Sequence, residues 1–424
     1  MLIKNGRIID PSQGIDALMD LRIDGDQIAE IGSLSAELGE EVIDASGLVV
    51  APGLVDAHVH FRDPGQTYKE TVETGAAAAA AGGFSTVISM ANTVPPIDSP
   101  EVLSDLEKRE EDLPIRVLNT ANVTMSMQGN MLTDMDALKE AGAVGFTDDG
   151  KPIRNAGIVL SAMKKCAELN VPISFHEEDP DLILSPGVNQ GKVSEQLGLG
   201  GAPASAEYSL TARDCALALG TGCSVNIQHV SSAETVAVIR AMKQINPCIH
   251  AEVTPQHFSF TEDLVLERGA LAKVNPPLRT ERDRQALLEG LKDGTLDLIV
   301  TDHAPHAEAE KDKGIQAAPS GMIGLETSLA LGITNLVKTG VLTLEELIRL
   351  MTVNPCSLYH LPYGTLKPGS SADAMLFDPD EQWIVPDHFY SKSSNSPFIG
   401  MTLTGRVRMT ICRGKKAFGR GDRS

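Results

Sequence analysis

The stretch APGLVDAHVHFRDPG, residues Ala51–Gly65, combines a buried-strand pattern with residues suited to metal chemistry. The apolar residues before it lead into His58 and His60, which are two positions apart, and Arg62 follows. On a β-strand, residues i and i+2 point to the same side. Two imidazoles would therefore project together from the end of one buried strand. This arrangement predicts a metal site, provided that distant parts of the chain supply the other ligands.

Similar apolar runs recur along the middle of the chain, and helical segments separate them. Near-continuous apolar runs are typical of strands that are buried on both faces of a parallel sheet. Eight such strand–helix repeats predict an α/β protein with the architecture of a TIM (β/α)8 barrel. The eight runs are LVDAHV, STVISMA, IRVLNTA, AVGFTD, VPISFH, SVNIQHV, IHAEVT and DLIVTD.

The two ends of the chain show a different pattern, with short strand-like segments between turn signals such as NG and DG. Because chain termini often lie close together, we expect both ends to form one small β-sandwich domain. Residues 1–50 and 361–424 would build this domain, and residues 51–360 would build the barrel. The basic stretch RGKKAFGRGDR, residues 413–423, is interpreted as a solvated tail.

Composition excludes several classes of partner. The 424 residues carry a formal net charge of −21, which repels nucleic acid and anionic membrane surfaces. The sequence contains no apolar run of about 18 residues, the length that a membrane span needs. The six cysteines include no CxxC pair and indicate reduced thiols. With no signal peptide recognisable at the N-terminus, we expect a cytoplasmic protein.

In a TIM barrel the catalytic residues lie at the carboxyl ends of the strands. Five of the eight predicted strands end in histidine or aspartate. One histidine at a strand end is usually structural, but agreement among five strand ends predicts a metal centre. The candidate ligands are His58, His60, Asp149, His176, His229 and Asp302.

Four imidazoles and two carboxylates suit Zn²⁺. Six ligand groups are too many for one tetrahedral ion and suit two ions bridged by a carboxylate. Asp149 is the natural bridge, because it would arise across the barrel from His58 and His60. Its neighbour Asp148 would face away on an extended chain. We therefore expect one or two zinc ions per chain, with two favoured.

The motifs HVHFRDPG and TDHAPHAEAEK, the latter spanning Thr301–Lys311, resemble the two signatures of the dihydroorotase family in the amidohydrolase superfamily. GFTDDGKPI, SMANT, KVNPPLR and APSGMIGLET are similar to further segments of that family, in the expected order. The resemblance covers essentially the whole chain and is greatest to the type I bacterial branch. Many relatives in the superfamily bridge their metals with a carboxylated lysine. Here GFTDDG offers Asp149, and Lys151 would not substitute for it.

The resemblance implies a zinc-dependent enzyme that interconverts N-carbamoyl-L-aspartate and L-dihydroorotate in de novo pyrimidine biosynthesis. His58, His60 and Asp302 would hold one metal, and Asp302 would also act as general base and then as general acid. The second metal would lie on His176 and His229, with Asp149 shared between the two sites.

The resemblance also implies how the substrate is held. A planar arginine fork matches a carboxylate, although Arg62 could instead form a surface salt bridge. The segment of residues 304–321 is polar and holds two glycines, a composition that suits either a mobile lid over the site or a plain surface loop, and we expect the lid. The expected substrate contacts are Arg62, Asn92 and His306 to the free carboxylate, Asn275 to the ring, and Ser320 and Gly321 from the loop after the eighth strand.

Two other functions stay open at this point. A related enzyme could open a hydantoin, dihydropyrimidine or allantoin ring, although such relatives usually carry the lysine bridge and have less need of Arg62. Some dihydroorotase-like chains have lost their ligands and serve only as partners of aspartate carbamoyltransferase, but this chain keeps every ligand position. We expect a homodimer, and the sequence leaves open a complex with aspartate carbamoyltransferase.

Overall fold

The computed structural model describes residues 1–421, and residues 422–424, including the end of the predicted basic tail, lie outside the described residues. The eight apolar runs form eight strands in the middle of the chain, as predicted. Most of their residues are buried, which accounts for the near-continuous apolar pattern. The strands are β6 (Leu54–Val59), β7 (Phe84–Ser89), β8 (Arg116–Asn119), β9 (Phe146–Thr147), β10 (Ile173–Phe175), β11 (Val225–Ile227), β12 (Ile249–Val253) and β13 (Leu298–Ile299).

These strands close into a barrel. Parallel pairing joins β6, β7 and β8 in one sheet and β9 to β13 in another. Parallel bridges between Ala121 and Phe146 and between Val59 and His303 join the two sheets at both edges. The backbone N–H of His60 donates to the carbonyl of His303 over 2.8 Å at the second junction. The predicted (β/α)8 barrel is confirmed.

Helices alternate with the barrel strands, and several begin at capping residues. The Thr71 and Thr280 side chains each accept a backbone N–H at the start of a helix and form capping boxes. Within residues 1–421, no helix combines the length and apolar character required of a membrane span. The longer helices are α1 (Val72–Ala81), α2 (Pro100–Glu110), α3 (Met135–Glu140), α4 (Ala156–Leu169), α6 (Ala204–Ala218), α7 (Ala233–Lys243), α10 (Glu281–Lys292), α14 (Leu344–Leu350) and α15 (Val353–Leu358).

Shorter helices lie in the loops, mostly on the carboxyl side of the barrel strands. They are α5 (Lys192–Gln196), α8 (Pro255–Ser259), α9 (Leu264–Arg268), α11 (Glu308–Lys311), α12 (Gly314–Ala317) and α13 (Ser328–Gly332). Two 3-10 turns span Met125–Met127 and Gly269–Ala272, and a π-helical turn spans Ile333–Val337.

Both chain ends form one mixed sheet beside the barrel, as the sequence predicts. The strand order is β16-β15-β14-β5-β1-β2-β3, and β4 pairs with β1. Ile8 and Leu376 contribute to a core of the sheet's own, whereas Phe377 and Val407 pack into the barrel core. The strands are β1 (Leu2–Asp10), β2 (Ile15–Asp24), β3 (Gln27–Gly32), β4 (Val42–Asp44), β5 (Val49–Pro52), β14 (Ala374–Ile384), β15 (Thr402–Cys412) and β16 (Lys415–Gly419).

The interpretation of residues 413–423 as a solvated tail is wrong for the part that the structure describes. Residues 415–419 form β16, which pairs antiparallel with β15. Phe418 provides the reason, because its ring is buried and packs edge-to-face on Tyr390 with the centroids 5.4 Å apart. The predicted domain boundaries at residues 50 and 360 stay a prediction.

Candidate active site

The barrel brings all six predicted metal ligands to its carboxyl rim. His58 lies near the end of β6 and His60 directly follows that strand. The other four follow β9, β10, β11 and β13 within three residues of the strand end, and they are Asp149, His176, His229 and Asp302. All six side chains are buried.

Asp302 approaches the two histidines of the first strand. Its Oδ1 lies 3.0 Å from Nε2 of His60 and 3.6 Å from Nε2 of His58. The ligand atoms of these three residues lie within 4.8 Å of one another, which is close enough for them to share one ion. The resemblance to the dihydroorotase family implies this set of three for the first metal.

Asp149 lies centrally among the imidazoles. Its Oδ1 is 3.6 Å from Nε2 of His58, 3.6 Å from Nδ1 of His176 and 4.0 Å from Nε2 of His229. Its Oδ2 is 3.5 Å from Nε2 of His60. The second compact set consists of His58, Asp149 and His229. Nδ1 of His176 lies 2.9 Å from Nε2 of His229. One carboxylate oxygen or the other of Asp149 therefore lies within 4.0 Å of each of the four imidazoles.

The donor atoms fit a divalent cation. Nε2 of His58 and Oδ1 of Asp149 are buried and have no hydrogen-bond partner within residues 1–421. Buried polar atoms without partners are rare in native proteins, and a bound cation would satisfy these two atoms. Imidazole nitrogen and carboxylate oxygen are ligand types that zinc accepts. The residues present can thus hold such a metal.

Carboxylates behind the cluster orient the imidazoles. Oε1 of Glu252 lies 2.6 Å from Nδ1 of His58, and the backbone N–H of His229 donates to the same oxygen over 3.2 Å. Glu178 lies 3.1 Å from Nε2 of His176. Such partners fix the ring orientation of metal-binding histidines. Glu252 was not predicted from the sequence, although an acid inside the buried run IHAEVT was a detectable signal.

Carboxylates and imidazoles of the cluster shift one another's pKa values. Burial alone would lower the pKa of His58, but the Glu252 and Asp149 carboxylates outweigh it and raise that pKa well above its usual range. Burial would raise the pKa of Asp302, but hydrogen bonding to His60 and the charge on His58 lower it. Acids that stay ionised in a buried site favour a divalent cation there.

Three residues of the site have left-handed backbone conformations that are uncommon outside glycine. The φ angles are 60° at Arg62, 34° at His229 and 49° at Asp302. Each such residue costs about 1–3 kcal/mol, and strain of this kind is concentrated at functional sites. The surrounding barrel holds these residues in place and aims their side chains inward.

A cavity of about 210 Å³ opens above the cluster. Its wall includes all six residues predicted to contact substrate, namely Arg62, Asn92, Asn275, His306, Ser320 and Gly321. Nε of Arg62 donates to the Pro305 carbonyl over 3.3 Å and Nη2 lies 3.5 Å from Nε2 of His306, and within residues 1–421 the guanidinium forms no ion pair with a carboxylate. Nδ2 of Asn92 donates to Asp149 over 3.0 Å, and its Oδ1 lies 3.0 Å from Nδ1 of His60. Asn92 thus links the substrate wall to the metal cluster.

The far wall is formed by the segment after β13. Nε2 of His306 donates to the Ser320 carbonyl over 2.9 Å. Gly321 has φ +130°, and a Cβ there would lie 2.7 Å from Cβ of Ala304 and 3.0 Å from Nε2 of His306. Asn395 was not predicted, yet its amide donates to the carbonyls of Ala304 and Gly321 over 3.1 and 3.2 Å. One residue from the β14–β15 connection therefore holds both edges of the wall together.

A (β/α)8 barrel with imidazoles and carboxylates gathered under a polar cavity at its carboxyl rim defines the class of metal-dependent amidohydrolases. Comparison with known proteins narrows that class. Residues 47–235 match the family model described as Dihydro-orotase-like. The chain is 52% identical to the dihydroorotase of Clostridioides difficile strain 630, over 98% of this chain and 99% of that protein. It is 50% identical to the dihydroorotase of Lactococcus lactis subsp. lactis strain IL1403, over 98% of both chains. The chain belongs to the dihydroorotase family and is a cyclic amide hydrolase.

Solved structures share the same fold. The L-hydantoinase of Arthrobacter aurescens superposes with a TM-score of 0.89 at 28% identity, over 99% of this chain and 96% of that chain. The D-hydantoinase of a Thermus species gives a TM-score of 0.84 at 25% identity, over 99% and 96% of the two chains. Enzymes that are named for different rings thus share one scaffold, so the choice among substrates depends on the residues of the cavity.

Proposed function

We propose that the chain is a dihydroorotase that interconverts N-carbamoyl-L-aspartate and L-dihydroorotate in de novo pyrimidine biosynthesis. The observation that carries this proposal is the position of Arg62, a cation that forms no ion pair with a carboxylate within residues 1–421, in the same cavity as the metal cluster. Dihydroorotate has a ring amide to be cleaved and a free carboxylate. The cluster and Arg62 match these two parts of the molecule.

We propose zinc as the cofactor, with one or two ions per chain and two favoured. His58, His60 and Asp302 would hold one ion, and His176 and His229 the other, with Asp149 shared. Bound zinc supplies an activated water and polarises the ring carbonyl. Metal analysis of the purified protein tests both the identity and the count.

In the hydrolytic direction, water attacks the ring carbonyl carbon and the bond from that carbon to the ring nitrogen breaks. Asp302 takes the proton of the attacking water and delivers it to the departing nitrogen. The Asp302 carboxylate suits this transfer because it is buried and lines the cavity. A proton can pass between it and a substrate in the cavity without going through bulk water. Cyclisation runs these steps in reverse, with Asp302 accepting the ureido proton.

The cavity wall holds the rest of the substrate. Arg62, His306 and Asn92 would bind the free carboxylate, and Asn275 the ring. Oδ1 of Asn275 is buried and has no hydrogen-bond partner in the described chain, which leaves it available to a ring N–H. Ser320 and Gly321 would complete the wall. Closure of the lid, residues 304–321, stays a prediction.

The alternative is a related amidohydrolase that acts on a hydantoin, dihydropyrimidine or allantoin ring. Those substrates lack the free carboxylate that Arg62 would bind. Assays of the purified enzyme on dihydroorotate, dihydrouracil, hydantoin and allantoin distinguish the two functions. We expect turnover of dihydroorotate to exceed the others by several orders of magnitude, and turnover of hydantoin without dihydroorotate would contradict the proposal.

Assembly and location stay predictions. A homodimer is tested by sedimentation, and a complex with aspartate carbamoyltransferase by co-purification of the two proteins. A chain that bound the transferase but had neither metal nor activity would be a non-catalytic partner instead. Fractionation of cells tests the cytoplasmic location.

A further inference from the structure

Lys69 is a buried lysine behind the far wall of the cavity. It lies in the loop between β6 and α1, and only 6% of the residue is exposed. Its Nζ is 3.4 Å from Nδ1 of His306 and 3.2 Å from Oε1 of Glu310. Burial of an ammonium group is costly unless it is paired and hydrogen-bonded. These two contacts are therefore the reason that Lys69 can lie there.

The contacts of His306 define which ring nitrogen carries the proton. Nε2 lies 2.9 Å from the Ser320 carbonyl, which can only accept, so Nε2 is the N–H donor. Nδ1 of a neutral imidazole then has a lone pair, and this lone pair accepts from the Lys69 ammonium. Burial lowers the pKa of His306 to about 2, and Arg62, Lys69 and Lys311 act in the same direction. The ring is thus neutral with its proton on Nε2.

This tautomer points a donor toward the arginine end of the cavity. Nη2 of Arg62 lies 3.5 Å from Nε2 of His306, and both residues line the cavity. A carboxylate at this end could accept from the guanidinium and share the Nε2–H donor with the Ser320 carbonyl, which lies 2.9 Å from the same nitrogen. The other tautomer would present a lone pair, which repels a carboxylate. The identity of the protonated nitrogen therefore decides whether His306 helps or hinders binding.

Lys69 also fixes the segment that carries His306. Glu310, its ionic partner, accepts the backbone N–H of Ala307 over 3.1 Å and the hydroxyl of Tyr68 over 3.2 Å. The Lys69 backbone carbonyl in turn accepts from Oγ of Ser393 over 2.7 Å. The lysine is thus held at its backbone while its ammonium group joins the β6–α1 loop to the start of α11.

We propose that Lys69 is a positioning residue for carboxylate recognition, which fixes the Nε2–H tautomer of His306 and holds the segment that carries it against Arg62. The inference rests on the proposed function, because it assumes a substrate with a free carboxylate. It assigns Lys69 no contact with the substrate and no proton transfer.

The tautomer is measured directly by ¹⁵N-histidine NMR on the wild-type protein at pH 7.5, with the His306 signals assigned by their loss in His306→Asn. We expect His306 to be neutral and protonated on Nε2. In Lys69→Met we expect signals of the Nδ1–H form or of the imidazolium form as well. A wild-type His306 protonated on Nδ1, or a spectrum unchanged in Lys69→Met, would overturn the proposal.

Kinetics separate positioning from a general structural role. Lys69→Met should raise KM for dihydroorotate about 10- to 100-fold, the cost of one charge-assisted hydrogen bond, and change kcat by less than about threefold. Dihydrouracil has the same ring without the carboxylate, and its inhibition constant Ki should be the same in Lys69→Met as in the wild type. Lys69→Arg should recover part of the loss. The proposal would be contradicted if Lys69→Met weakened the binding of dihydroorotate and dihydrouracil equally, or if KM for dihydroorotate did not change.

Lys392→Met is the matched control. Lys392 is exposed, and its Nζ donates to the Thr67 carbonyl in the same loop over 2.7 Å without contacting His306. The Lys392→Met variant should have the KM and the His306 spectrum of the wild type. If Lys69→Met does not fold, Lys69→Arg takes its place in both measurements, and an unchanged His306 spectrum together with an unchanged KM would overturn the proposal. A wild-type protein that is inactive on dihydroorotate would instead refute the proposed function, and the NMR result, which needs no turnover, distinguishes that failure.

Discussion

Arg62 illustrates at the residue scale how an acidic protein can bind an anion. With a net charge of −21, the chain as a whole repels dihydroorotate and its ring-opened product. The attraction must come from local groups in a cavity where water does not screen them. Arg62 supplies positive charge in the wall of the cavity, and the metal cluster supplies it at the base when loaded.

Replacement of this arginine tests its role most simply. Arg62→Met should raise KM for dihydroorotate about 100-fold, because it removes a bidentate partner of the carboxylate. Metal content should not change, since Arg62 contacts no ligand atom of the cluster. Steady-state kinetics and metal analysis are the measurements. The control is Arg154→Met, which breaks an exposed ion pair with Asp181 and should change neither KM nor metal content. An unchanged KM in Arg62→Met would show that Arg62 does not bind the carboxylate.

Glu252 gives a prediction about metal affinity. Its Oε1 lies 2.6 Å from Nδ1 of His58 and orients that ring toward the cluster. Glu252→Gln should weaken metal binding about 10- to 100-fold, as loss of such a partner typically does. Competition with a chelator measures the affinity. The control is Asp297→Asn, which alters a similar pair with His250 away from the site. Equal losses of metal affinity in the two variants would contradict the specific role of Glu252.

Sequence reasoning could identify ligand candidates but not their supporting residues. His60 and Asp302 were detectable because they are ligand-type residues that follow predicted strands. Glu252 and His58 are 194 residues apart in the chain, and their contact depends on which side chains face each other across the closed barrel. No local pattern records that geometry. The same holds for Lys69 and Asn395, whose partners lie on distant loops.

At the scale of elements, the sequence predicted long periodic segments well and short ones poorly. Helices α4 and α7 lie between barrel strands, as the alternation of apolar runs and helical segments predicts. Helices α11 and α12 contain four residues each, too few to be stable without tertiary contacts. Residues 415–419 lie in the β-rich chain end that the sequence predicts, but their two lysines also suggested a solvated tail. They form β16, in which Phe418 is buried.

The end of α2 gives a prediction about stability and pH. Glu110 is buried and accepts from Nδ2 of Asn119 over 2.6 Å, and burial raises its pKa to about 8. The unfolded chain releases this proton near its usual pKa of about 4.3. Between these values the folded state holds the extra proton, so stability falls as pH rises from about 4.5 to 8.

The glutamine variant removes that pH dependence. Glu110→Gln should match the wild type in free energy of unfolding at pH 5 and exceed it at pH 9. Urea unfolding at both pH values is the measurement. Glu111→Gln, at the adjacent exposed position, is the control and should change stability by less than about 0.5 kcal/mol. A variant whose stability falls with pH as steeply as that of the wild type would show that Glu110 is not the titrating group.

At the scale of the whole molecule, the barrel has a functional end and a structural end. The metal cluster lies at the carboxyl ends of the strands, whereas Arg116 begins β8 at the opposite end. Its Nη1 donates to Asp373 and its Nη2 to Ser371, each over 2.6 Å, where residues 371–373 lead into β14. The Arg116–Asp373 pair thus attaches the β sheet to the base of the barrel.

Loss of this pair should affect stability without affecting catalysis. Arg116→Met leaves the buried Asp373 carboxylate without its cation and should reduce the free energy of unfolding by about 3–5 kcal/mol. KM and kcat should not change at temperatures where the variant is folded. Arg240→Met removes an exposed pair with Asp293 and should cost less than about 1 kcal/mol. Equal costs for the two variants, or a changed KM in Arg116→Met, would contradict this division.

The central claim is that imidazoles and acids from five strands hold the metal that hydrolyses dihydroorotate. It is tested most directly by measurement of metal content and dihydroorotate turnover on one sample, before chelation, after chelation and after addition of zinc. We predict one or two zinc ions per chain, loss of activity together with the metal, and recovery of both. Full activity in metal-free protein, or bound zinc that survives His58→Ala at full stoichiometry, would contradict the account.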